Sequence, residues 1–267
     1  MAKISTENRE LFNSKITPYK AKIDEILEKE NNMLNLIKKD GAGIGYKKLF
    51  LCENQIFVAT TLITINNLSE ELLSIKNNDA LNDARKALYK AIIYLEDIVS
   101  GTIDCQFSEI EEKLEDIANT PLEKRFYLVK KLGLAIRLLI DAFGENTKWK
   151  WSFVELQGRF CTVAKNLLDL KKACKDFFDP YSPDYDNTVF YIRLILRLLD
   201  QSATQYRDRY ELSTHRIDDM RSAINYLLAL RRLQLLINMK DEAEDVKKKA
   251  IVWKEKMDSD HKAGIAS

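Results

Sequence analysis

Arg209 and His215 are separated by five residues. An arginine can hold a phosphate oxygen and a nearby histidine can move a proton, so this pair is where phosphodiester chemistry would be drawn. Histidine is otherwise scarce: the chain has His 2, the second being His261. Di-iron, haem, zinc-hydrolase and Ser-His-Asp chemistry therefore lack their usual side chains. Cys52, Cys105, Cys161 and Cys174 show no CxxC or other metal spacing, and they read as reduced thiols of a cytoplasmic protein. No cofactor, metal or enzymatic activity is expected.

The Arg209-x5-His215 spacing resembles that of the all-helical HEPN ribonucleases, in which Arg and His act on the scissile phosphate. The resemblance implies phosphate binding by Arg209 and general acid or base action by His215. Tyr210 stands where those enzymes usually carry a polar residue. Three other segments invite a chemical reading. Gly41-Ala42-Gly43-Ile44-Gly45 offers backbone N–H groups before a helix, but its spacing fits neither phosphate-binding loop, so it reads as a helix reversal. Lys148-Trp149-Lys150-Trp151 interleaves cations with aromatics, as nucleic-acid grooves do, and Arg159, Lys165, Lys171, Lys172 and Lys175 extend the basic run. Asp179 to Asn187, acidic and tyrosine-rich, lacks the glycine and distal Glu of a calcium loop and reads as a capped connection. Arg231 and Arg232 are expected to pair with carboxylates.

The elements that must position these residues are helices. Gly 8 and Pro 4 are too few for the turns of a many-stranded β protein, while Leu, Lys, Glu, Ala and Ile abound. Lys+Arg 42 against Asp+Glu 41 leaves a net charge of +1, so no global field draws in polyanions or membranes. No secretory leader is read at Met1 to Glu10, and the run Ile56 to Ile65 is too short for a membrane span. Caps, first-turn prolines and terminal glycines divide the chain into helices over roughly 17–39, 45–77, 79–100, 107–118, 121–143, 147–178, 187–212 and 214–258. Apolar residues recur in steps of three and four, the pattern of coiled-coil-like packing. The run from Trp149 to Phe177 carries it without a gap, and Glu30 intrudes into the first helix's stripe.

These features predict an all-α fold: an elongated antiparallel bundle of about eight helices, one domain over 1–258 with a frayed tail over 259–267. A short α-solenoid of stacked helix pairs is the alternative. The last helix, about 65 Å long if continuous, is expected to project beyond its neighbours. Its seam of Val246, Trp253 and Met257, with Trp151 as an outlying candidate, then serves a protein partner or self-association. The function expected is scaffolding or assembly without catalysis. The alternative is a nucleic-acid-binding helical protein, with RNA cleavage by Arg209 and His215.

Overall fold

The computed structural model describes residues 5–144 and 147–265. Among the described residues the chain forms ten α-helices, with one π-helical turn and no strand, and adjacent helices pack antiparallel. Two compact units divide the chain: residues 1–98 with 128–148, and residues 99–127 with 149–267.

The first unit contains α1 (Thr6–Lys39), α2 (Ile44–Leu73), α3 (Asn78–Val99) up to Ile98, and α5 (Leu122–Phe143) from Leu128 onward. Ser5, whose hydroxyl accepts from the Asn8 N–H, caps α1 well upstream of Thr17-Pro18. The proline expected to open the helix lies inside it. Tertiary packing overrides it: Phe12, Ile16, Ile23 and Ile26 form one buried stripe across Pro18, so hydrophobic burial holds the turns on both sides. The intruding Glu30 is buried on that stripe. Its carboxylate accepts from Lys90 Nζ at 2.8 Å and from the Tyr94 hydroxyl, both on α3. Buried charge is costly unless paired, and Lys90 and Tyr94 supply the partners that the enclosed carboxylate needs.

The α2 helix carries a broad buried face, including Leu51, Cys52, Ala59 and Asn66. Its length and composition would suit a membrane crossing, yet 56% of its most apolar window is buried inside the structure. Asn66 at its far end accepts from the Asn77 N–H at 2.8 Å, and Ser69 Oγ donates to the Ile75 carbonyl at 2.8 Å. These bonds satisfy the groups freed where α2 turns into α3.

The second unit contains α4 (Phe107–Glu115), the first turns of α5, α6 (Lys150–Asn166), α7 (Leu170–Asp176), α8 (Tyr185–Arg209), the π turn (Tyr210–Thr214), α9 (Ile217–Leu236) and α10 (Lys240–Lys262). Two long helices expected from the sequence are each divided. The 147–178 run breaks between Asn166 and Leu170, where Asp169 accepts from the Lys172 N–H at 3.0 Å and caps a fresh start. The 214–258 run breaks after Leu236, where Asn238 adopts a left-handed φ of 64°. Its Asp/Asn-type side chain tolerates that conformation, and the chain folds back so that α10 packs on α9 rather than projecting. Residues 259–262, expected to fray, are the last turn of α10.

Candidate functional site

Arg209 and His215 flank the π turn, but the structure commits them differently. Arg209 forms an ion pair with Asp219, and its guanidinium lies 4.7 Å from the Tyr206 ring centroid. Thr214 Oγ1 donates to the second Asp219 oxygen at 2.6 Å. Asp219 is almost wholly buried, so Arg209 neutralises a charge the fold has enclosed. A guanidinium spent in this way is a poor phosphate clamp. His215 is exposed in the left-handed region, with φ 49°, and ends the π turn through its N–H on the Tyr210 carbonyl at 3.0 Å. The Tyr210 hydroxyl donates to Asp260 at 2.8 Å, tying α10 to the turn. Burial and that carboxylate push the Tyr210 phenol up to about 12. Hydrogen bonds from Tyr210 and Lys256 hold Asp260 below the usual carboxylate range. The Arg209–Asp219 pair joins α8 to α9, and the Tyr210–Asp260 bond joins the π turn to α10, so the cluster ties this corner of the unit together.

The C-terminal seam is occupied by the chain itself. Trp253 is 6% exposed, with Arg207 at 5.4 Å and Lys249 at 4.9 Å from its ring centroid. Val246 and Met257 are half-buried beside it. The expectation that Trp253 is free for a partner is therefore corrected, because the reversal at Asn238 brings the seam back onto its own unit. Trp151 is half-buried, stacked under Lys150 Nζ at 5.0 Å, and its carbonyl accepts from Arg209 at 3.4 Å.

The remaining segments resolve locally. Asp40 Oδ1 accepts from the Ala42 N–H at 2.9 Å, and Gly43 takes φ 61° at the α2 cap, so the glycine loop is a tight reversal. The basic run is partly neutralised: Lys171 pairs with Glu111 at 2.8 Å and Lys172 with Asp184 at 2.6 Å. The Asp179 carboxylate and Ser182 hydroxyl cap the loop before α8, which begins at Tyr185. Arg232 pairs with Asp104. No cluster of three metal-ligating side chains occurs among the described residues.

One surface was hidden from sequence reading. Over the first half of α2 the exposed positions Tyr46, Phe50, Glu53 and Phe57 follow one stripe, and the exposed positions beyond them, Thr64, Asn67, Glu70 and Glu71, are polar or acidic. Tyr46, Phe50 and Phe57 are 37%, 43% and 46% exposed. Their steps of four and seven place them on one narrow line along the helix. Glu53 lies between the two phenylalanines, 3.6 Å from Lys131 Nζ of α5.

These features define an all-α protein with antiparallel adjacent helices. The chain belongs to the TP0443 family, whose model matches residues 8–261. No curated protein and no solved structure matches it.

Proposed function

We propose that the protein is a non-enzymatic interaction module, a scaffold or assembly subunit that holds a partner helix along the outward stripe of α2. The observation that carries this reading is the heptad-spaced exposure of Tyr46, Phe50 and Phe57 on a helix most of whose other positions are buried or half-buried. Aromatic anchors on a rigid, well-packed helix give binding energy at little entropic cost. The C-terminal seam first expected to do this work is closed by Trp253 burial, so the reading moves from α10 to α2. All four cysteines are free, which fits a reducing compartment, and the cytoplasm is taken as its location on that ground.

A photo-crosslinking residue at Phe57 tests the reading. Adducts to a second copy or to a partner protein, lost in Phe50→Glu, support it. Light scattering that reports a monomer, together with crosslinks confined to the same chain, opposes it.

A further inference from the structure

A cleft of ≈ 270 Å³ opens in the second unit, between α4 and the α6–α7 break. Its walls are set by the sequence. Phe107, Ile110 and Leu114 recur at three and four along α4 and present one apolar face. The break at 167–169 turns Leu168 and Leu170 toward that face. A neighbouring pocket of ≈ 250 Å³ shares Phe107, Lys165, Leu170 and Leu236 with the first, so the two form a continuous groove. Phe107 and Leu236 remain 52% and 40% exposed, leaving apolar surface open to solvent.

One cation lines both pockets. Lys165 Nζ donates to the Ile103 carbonyl at 3.0 Å and to Asn166 Oδ1 at 2.9 Å, which leaves one of its three N–H bonds unused. No carboxylate lies within ion-pair distance of it among the described residues. Of the acids around the groove, Glu111 pairs with Lys171 and Asp104 with Arg232, while Asp169 caps the Lys172 N–H. Burial, together with the nearby Arg232 charge, pulls the Lys165 ammonium below the usual lysine range. A largely buried ammonium with no carboxylate in direct contact is costly unless an anion meets it. Pockets of this kind, mostly apolar with one convergent polar group, orient amphipathic ligands.

We propose that this groove binds a small aliphatic carboxylate, its chain lying between α4 and Leu170 and its carboxylate on Lys165. The site is independent of the α2 stripe. A purely structural role for Lys165, tying the α3–α4 connection to α6 through Ile103, would make it indifferent to ligand charge.

Calorimetric titration of the full chain with octanoate and with octanol separates the two. The proposal expects octanoate to bind about tenfold or more tightly than octanol, the size of one charge-assisted hydrogen bond. Lys165→Met removes that preference while retaining octanol binding, and Leu114→Trp, which fills the groove, removes both. Equal affinities in the unaltered protein, binding of neither compound, or an unchanged preference in Lys165→Met overturns it. The wild-type comparison decides the matter even if a variant fails to fold.

Discussion

A Cβ built on Gly158 of α6 would lie 2.6 Å from Cε2 of Tyr206 on α8 and 2.9 Å from the Tyr226 hydroxyl of α9. Real Cβ atoms do not approach so closely, and here the obstruction is two rings stacked at 5.5 Å rather than a flexible tip. Gly158 is thus what lets three helices meet, while Thr162 bridges its carbonyl and the Tyr226 hydroxyl at 3.1 Å each. Gly158→Ala is expected to cost about 1–3 kcal/mol by overpacking, despite its better helix propensity. Urea unfolding checks the sign: a stabilised variant would show that the rings yield.

Arg209 offers a second test, directed at the nuclease reading. Arg209→Gln leaves buried Asp219 without its counter-charge and should lose about 3–5 kcal/mol. His215→Asn, at an exposed left-handed position, should stay within about 0.5 kcal/mol of the parent. If Arg209→Gln instead keeps its stability, and both variants lose a cleavage of single-stranded RNA that the parent performs, catalysis outweighs architecture at this corner.

Trp253→Ala distinguishes packing from docking at α10. Removing a side chain enclosed by α8 and α10 cations should cost about 3–5 kcal/mol of stability, visible as a lowered melting temperature. Loss of association with an unchanged melting temperature would restore the seam as a contact surface.

Tyr210 sets an alkaline limit on the second unit. Its phenol is raised to about 12 in the folded chain, against about 10 when unfolded. The folded state therefore holds the proton more tightly. That stabilisation is complete below pH about 10 and is lost as pH rises toward about 12. In Tyr210→Phe the fall in stability over this interval should be shallower, as measured by denaturant midpoints at stepped pH. Tyr94 and Tyr191, also raised by burial, keep a residual slope.

Helical class and antiparallel neighbours were legible because three-and-four spacing survives in almost every segment. The breaks were harder to read. Leu167, Leu168 and Leu170 keep the chain apolar across the α6–α7 junction, so periodicity runs on while Asp169 quietly supplies a new cap. Asn238 likewise turns the chain without proline or glycine, so the spacing runs on from α9 into α10 as if in one helix. Glu30 was visible as a misfit, and Lys90 and Tyr94, which resolve it, lie 60 and 64 residues away. The α2 stripe had no sequence signal: in a helix with so broad a buried face, Phe50 and Phe57 look like core until the fold exposes them. Nor could spacing reveal the Lys165 groove, whose walls come from three separate stretches, 103–114, 165–174 and 229–236.

Sedimentation equilibrium on the parent and on Phe50→Glu/Phe57→Glu, with helicity followed in parallel, bears most directly on the claim that α2 presents a helix-binding line. The expected result is a parent that self-associates, or binds the protein crosslinked at Phe57, and a double variant of equal helicity in which that assembly is lost. A parent and a variant with the same assembly state and the same partner affinity would contradict it.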